Sequence, residues 1–439
     1  KSVDTLDIHG KPNDHYQIAL SPDGRHVYVP QYETGTLAVI SARTDNLAPT
    51  VEVEQADDPA SGAVTYTATG VDADGDDVLY TAAALAPGAL TDLGGGRFRF
   101  VPDTALSGHL PPGVHDAVSI TVSDGHGGST SVRGTYVVAP SAEATVIARL
   151  TVGGEVRSVA VSPDGATIYV PIIDPNGRSR VEVLDTTSGD LLAIVALADD
   201  PRGTATLNSD GSRLVVPGGE YVMVIDTTTF EVIAALDGAD HAVLDPDGLK
   251  AYALRAGEMS VHDVDPGSEN FGSRIGTIPT GGHAEGMTAG PDDRIYIATS
   301  DFTVTAIDTG TDEVVATIRT TSGAHNLTSA PGRVYAPLHG TSLAVIDTDT
   351  ATVRAHVPIR VESPGPYVTA NADGSRVYLS RREEGILSVF DPSTNTIIAS
   401  ARVGDGTVAP AAVSADGSVV VVPAGDCVTV VSTGRSVEV

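Results

Sequence analysis

Val159-Ala-Val-Ser-Pro-Asp-Gly165, followed by Ile168-Tyr-Val-Pro171, reads as strand, tight turn and second strand. Apolar residues alternate at period two, β-branched residues dominate, and Pro-Asp-Gly supplies the turn. The phrase occurs earlier as Ile18-Ala-Leu-Ser-Pro-Asp-Gly24 with His26-Val-Tyr-Val-Pro30. Further copies turn at Asp210-Gly211, Asp247-Gly248, Asp292-Asp293, Pro331-Gly332, Asp373-Gly374 and Asp416-Gly417. From Gly165 onward the turns are 37 to 46 residues apart, whereas Gly24 and Gly165 are 141 apart. The long step is one repeat interrupted by an insertion.

Each repeat adds a third run ending in Asp-Thr or similar, as in Val183-Leu-Asp-Thr186 and Val345-Ile-Asp-Thr348, and a fourth, as in Val314-Val-Ala-Thr-Ile318. The Asp is expected to accept hydrogen bonds from backbone amides of the hairpin turn. Four strands per repeat of this length predict an all-β fold, a β-propeller, because a lone sheet cannot bury both faces and must stack radially on its neighbours. Tyr28, Tyr169, Tyr252, Tyr296, Tyr335 and Tyr378 are expected to pack between blades. Eight four-stranded blades are expected, with seven as the fallback. Ser2–Gly10 matches a fourth strand and is expected to close the last blade, in competition with Ser436–Val439. The run Val389-Phe-Asp-Pro-Ser-Thr-Asn-Thr-Ile-Ile-Ala399, continuing to Val403-Gly404, resembles the YVTN-type repeat of bacterial β-propellers. That likeness implies the fold and leaves function open, since such folds host many functions.

The expected organisation is propeller over residues 1–46, a β-sandwich over 47–142 inserted in the first blade, and propeller again over 143–439. The insert holds short strands such as Thr65-Tyr-Thr-Ala68, Phe98-Arg-Phe-Val101 and Val118-Ser-Ile-Thr-Val122. Asp45-Asn-Leu-Ala-Pro49, Asp72-Ala-Asp-Gly-Asp-Asp77 and Val122-Ser-Asp-Gly-His-Gly-Gly128 resemble bacterial cadherin-like or Ig-like repeats of surface proteins. Asp72, Asp74 and Asp76 place three carboxylates at alternate positions around Gly75. This is either a site for Ca²⁺, which takes six to eight oxygens, or a solvated acidic turn. No acidic residue follows at the spacing an EF-hand requires.

In a propeller the first strand of each blade lines the axis, and the strand starts face one mouth of the channel. The residues there are His15, Arg157, Arg202, His241, His283, Glu285, His325 and Tyr367, and they form the candidate ligand-binding set. Two readings stay open. One is a polar mouth that binds a ligand without chemistry. The other is a metal-dependent lyase or hydrolase, since His and Glu can hold a metal or move protons. His283-Ala-Glu-Gly-Met-Thr-Ala-Gly-Pro291 is similar to a repeat of a propeller lyase that opens cyclic depsipeptide antibiotics. No G-x-S-x-G, P-loop or H-E-x-x-H motif is present, so no catalytic residue is assigned.

Composition narrows the partners. The 439 residues hold 26 Lys+Arg against 57 Asp+Glu, a net charge of −31, which argues against nucleic acid. No apolar run is long enough for a membrane span. The single Cys427 forms no internal disulfide and lies in an apolar strand, as a core residue does. An opening at Lys1 without Met is expected of a mature or trimmed chain. Together these readings predict a secreted or cell-surface binding or adhesion protein. It would use a propeller rim to recognise a protein or glycan at a cell surface, with calcium as the one expected cofactor.

Overall fold

The computed structural model describes residues 3–7, 18–22, 26–31, 36–41, 46–58, 62–103, 110, 113–138, 143–324, 326–339, 342–359, 366–405 and 409–434. Described elements are strands, turns and bends, with no helix among them. The chain divides into two compact units, Lys1–Thr104 with Val114–Val137, and Ala105–Gly113 with Val138–Val439.

The larger unit contains seven antiparallel sheets, here named blades A to G. Their innermost strands are Ala160–Val161, Thr206–Leu207, His241–Leu244, Ala284–Ala289, Thr328–Ala330, Tyr367–Ala370 and Ala412–Val413. In blade A the inner strand is broken, and Glu155–Val156 pairs beside Ala160–Val161 on the same second strand. The innermost strands touch in sequence, and Ala160–Val161 contacts both Thr206–Leu207 and Ala412–Val413. The ring is therefore closed, and this unit is a β-propeller.

Apolar packing follows the same circuit. Tyr169 of blade A packs with Leu214 and Met223 of blade B, and Tyr252 of blade C with Ile295 and Ile297 of blade D. Val421 and Val430 of blade G meet Ile168 and Val170 of blade A, closing the circle. Each blade is apolar on both faces because each has two neighbours.

A second device repeats round the ring. The residue opening the second strand is often basic and reaches the turn between third and fourth strands of the next blade. Arg213 donates to the Val264 carbonyl at 2.6 Å, Lys250 to Thr309 at 2.8 Å, Arg294 to Thr348 at 2.9 Å and Arg333 to Pro392 at 3.4 Å. Arg376 instead grips Glu143, with both nitrogen–oxygen distances at 3.2 Å. Glu143 immediately precedes Thr145–Thr151, the outer strand of blade G.

That outer strand corrects the expected closure. Thr145–Thr151 pairs with Cys427–Ser432, Thr145 opposite Ser432 and Thr151 opposite Cys427. Val3–Asp7 pairs instead with Thr36–Ser41, Val3 opposite Ile40. All fourth strands share one alternating pattern, so the pattern cannot choose between free edges. The Glu143–Arg376 clasp and the burial of Ala144 against Tyr378 and Val420 supply the specificity. The competing tail, 436–439, lies outside the described residues.

The smaller unit holds the first repeat and the sandwich. Val3–Asp7, Thr36–Ser41, His26–Gln31 and Ala19–Leu20 form one four-stranded sheet in that order. The first repeat falls in the same unit as the sandwich. Among the described residues, seven sheets of this repeat lie in the larger unit and one in the smaller. Tyr28 departs from expectation: it is half-buried, whereas Tyr252, Tyr296, Tyr335 and Tyr378 are fully enclosed.

The sandwich has a sheet ordered Thr50–Asp57, Val64–Val71, Arg97–Pro102, Gly88–Gly94, and a second ordered Ser129–Val138, Gly113–Ser123, Leu79–Ala84. Their inner faces meet through Tyr66, Phe98, Phe100, Val118, Ile120 and Tyr136. The Tyr66 hydroxyl donates to the Thr135 carbonyl at 2.5 Å, and the Phe100 and Tyr136 rings meet edge-on at 5.6 Å. Gly134 is required here, because a Cβ would fall 2.5 Å from the Tyr66 ring.

Candidate functional site

The inner strands of the ring enclose a cavity of about 590 Å³ walled by all seven blades. Val159, Leu207, Val243, Met287, Leu327, Val368 and Val413 give it apolar walls, one or more from each blade. Arg157, His241, Glu285, Asn326 and Tyr367 add the polar lining near the strand starts. Of the eight residues expected at this mouth, four therefore line one cavity: Arg157, His241, Glu285 and Tyr367. Arg202 and His283 are exposed and do not line it. His15 and His325 lie outside the described residues.

His241 opens the inner strand of blade C and pairs with Leu254. Burial pushes its imidazole below the ordinary histidine range, with nearby Asp240 and Glu285 acting in the opposite direction and His283 reinforcing the fall. The ring is neutral near pH 7 and offers one donor and one acceptor. Tyr367 opens the inner strand of blade F, and the Arg382 guanidinium sits 4.8 Å from its ring centroid. Arg157 pairs with Glu155 at 3.0 Å, both largely solvated.

Neutral polar groups in the wall are engaged in joining blades. Thr206 donates to Ala242 at 3.5 Å and Thr369 to Ala411 at 2.6 Å. Asn326 donates to the Val368 carbonyl at 3.2 Å and accepts from its amide at 3.3 Å. Sequence reading missed Asn326 and Arg382. Asn326 follows His325 at the same blade position and was legible there, while Arg382 comes from a turn between second and third strands.

Among the described residues, only Asp72, Asp74 and Asp76 bring three metal-ligating atoms within 4.8 Å of one another. The described mouth residues His241, His283 and Glu285 do not. Asp72 Oδ1 accepts the amides of Asp74 at 2.8 Å and Asp76 at 3.2 Å, and Gly75 at φ +82° makes this tight loop possible. Asp72 Oδ2 and Asn46 Oδ1 are buried without a hydrogen-bond partner. Asn46 Nδ2 donates to Asp124 at 2.7 Å, and His126 Nδ1 lies 3.3 Å from Asp76. Burial pushes the Asp124 carboxyl up, but hydrogen bonds from Asn46 and the His126 and Gly128 amides win, holding it below the usual range. Asn46, Asp124 and His126 all lie in the phrases quoted for the cadherin-like resemblance, though sequence reading assigned them no role.

Comparison with known proteins adds to this geometry. Residues 38–138 match the Bacterial Ig domain family. A seven-bladed β-propeller protein of Mycobacterium tuberculosis is 31% identical over 112 residues, 24% of this chain and 28% of that protein. The chain thus spans little more than a quarter of that relative's length. Hydrazine synthase of Kuenenia stuttgartiensis shares the fold at a TM-score of 0.55 and 18% identity, covering 65% of this chain and 97% of the solved chain. That likeness concerns fold alone. The chain therefore combines an Ig-like domain with a β-propeller.

Proposed function

We propose that this chain is a binding or adhesion protein of the bacterial cell exterior, built from YVTN-type propeller repeats joined to a cadherin-like module. The axial cavity carries the reading. It is concave, walled by every blade of the ring, and combines apolar walls with convergent polar groups, which is the build of a small-ligand site. A metal-dependent lyase or hydrolase finds less support, because the mouth's described histidines and Glu285 do not gather ligand atoms around one point. Its partner is a protein or glycan at a cell surface.

The test is retention of cell-envelope peptides and glycans on the immobilised full chain, against a His241→Ala/Tyr367→Ala variant. Ligand held by the parent and lost from the variant supports the cavity as the site. Equal retention by both moves recognition elsewhere.

The Asp72–Asp74–Asp76 loop fits Ca²⁺ in its donors: three carboxylates, one with the unpartnered Asp72 Oδ2, plus the unpartnered Asn46 oxygen, supply oxygen ligands for a hard cation. In this reading calcium stiffens the Ig-like domain as a spacer or second contact surface. Calcium at about a hundredfold above its Kd raises that domain's stability by about 2.7 kcal/mol, seen as a higher melting temperature. Asp74→Asn abolishes the rise. Coincident melting curves in calcium and in chelator rule the site out.

A further inference from the structure

We propose that the axial cavity takes a zwitterion, a free amino acid or short peptide, with its carboxylate toward Arg157 and its ammonium toward Glu285. The proposal rests on the binding reading above and names the ligand class for that same cavity. Arg157 and Glu285 are the only two charged residues among the cavity's described lining, and their charges are opposite. Arg157 precedes the inner strand of blade A, and Glu285 lies on that of blade D. Three steps round a seven-membered ring put them on facing walls.

The rest of the wall points to the same class. A polyol such as a sugar is bound through many neutral donors, yet the Thr206, Thr369 and Asn326 donors are engaged with neighbouring blades. Arg157, Glu285, His241 and Tyr367 add the polar groups near the strand starts. Neutral His241 beside Glu285 adds a donor or acceptor without adding charge. The Arg157–Glu155 pair is solvent-exposed, so it holds Arg157 only weakly against an incoming carboxylate.

Charge selection follows from desolvation. Entry of a ligand removes water from both walls, and any cavity charge left unpaired is costly. A ligand with only an anionic end leaves Glu285 unmatched, and one with only a cationic end leaves Arg157 with its exposed Glu155 pair alone. The chain's net charge of −31 further disfavours purely anionic ligands at long range.

Titration calorimetry on the full chain decides it, using alanyl-alanine, its N-acetyl and C-amide derivatives, and the neutral disaccharide lactose. Alanyl-alanine binds, and blocking either end weakens binding about ten- to a hundredfold, the loss of one charge-assisted contact. In Glu285→Gln the penalty for acetylation disappears while that for amidation persists; Arg157→Gln does the reverse. Circular dichroism of both variants confirms that the fold is retained. Equal affinity for blocked and unblocked dipeptides overturns the zwitterion. Lactose binding lost in His241→Ala, with none of the dipeptides bound, overturns it too but leaves the binding reading standing. Binding of no probe, together with envelope ligands retained equally by the His241→Ala/Tyr367→Ala variant, overturns both.

Discussion

Ile18-Ala-Leu-Ser-Pro-Asp-Gly24 and Val159-Ala-Val-Ser-Pro-Asp-Gly165 differ at two of seven positions, both conservative. Their fates are opposite. Ile18 and Leu20 are 70% and 64% exposed, while Val159 and Val161 are 1% and 6% exposed. Locally they are alike, since each forms a two-residue inner strand paired with the run after its turn, Ala19 opposite Tyr28 and Ala160 opposite Tyr169. What differs is company. Blade A has blades B and G on its two faces, with Val159 packed among Val421, Val428 and Val430. A repeat of this kind encodes two sticky faces, and only neighbours turn them into a core.

The largest expected effect breaks that contrast directly. Val159→Asp forfeits the burial of a valine and places a carboxylate among valines, costing about 4 kcal/mol or more and unfolding the ring at lower denaturant. Ile18→Asp, at the matching position, changes stability by less than about 0.5 kcal/mol. Urea unfolding of the two variants reads this as a shift in midpoint. If Ile18→Asp proves as damaging as Val159→Asp, the first sheet is covered in solution and the contrast collapses.

A second effect belongs to the ring. His262 on the third strand of blade C is 2% exposed, its Nε2 2.9 Å from the Ser260 hydroxyl, its Nδ1 without a partner. Burial pushes its pKa down; Asp237, 3.9 Å from Nε2, opposes this, and Arg274 adds to it. His241 is displaced in the same direction, burial again leading. A histidine whose folded pKa lies below its unfolded value of about 6.5 lends stability that is complete above that pH and lost as pH falls below it. The ring's melting temperature therefore declines from about pH 7 toward about pH 5, before the carboxylates titrate. His262→Gln makes the decline shallower. A pH dependence identical in parent and variant shows that His262 titrates alike in the folded and unfolded chain, and overturns the burial argument.

Sequence made the blade legible because alternation, turn residues and spacing are local signals repeated many times. The enclosed tyrosines, the amide-binding Asp of the third strand and four of the mouth residues follow from position within the repeat. Asp185 Oδ1, for instance, accepts the amides of Thr187 and Ser188. Closure was not legible, because Ser2–Gly10 and Thr145–Thr151 carry equivalent patterns and long-range contacts choose between them. The basic clasp was visible as Arg213, Lys250, Arg294, Arg333 and Arg376 just after each turn, yet its partners lie in the next blade. Arg382 over Tyr367 has the same origin: a loop of unremarkable sequence delivered to the mouth by the fold.

The smallest effect compares equivalent turns within the ring. Four residues after the third-strand Asp, the chain enters the left-handed region at Gly189 (φ 74°), Phe230 (57°), Asp312 (55°), Ala351 (51°) and Asn395 (56°). Glycine adopts this conformation freely, asparagine tolerates it, and alanine pays through its Cβ. Ala351→Gly should therefore stabilise the ring by about 0.5–1 kcal/mol, despite the greater freedom glycine gives the unfolded chain. Asn395→Gly should be close to neutral. Asp312→Gly should go the other way, because Asp312 holds Lys250 at 3.0 Å and accepts from the Tyr252 hydroxyl at 2.6 Å across the C–D interface. Relief of the backbone there cannot offset loss of a partner for half-buried Lys250 and enclosed Tyr252, each worth about 1–3 kcal/mol. Urea midpoints of the three variants should fall in the order Ala351→Gly, Asn395→Gly, Asp312→Gly. An Ala351→Gly variant less stable than the parent means that the methyl's packing, not the backbone, governs the turn.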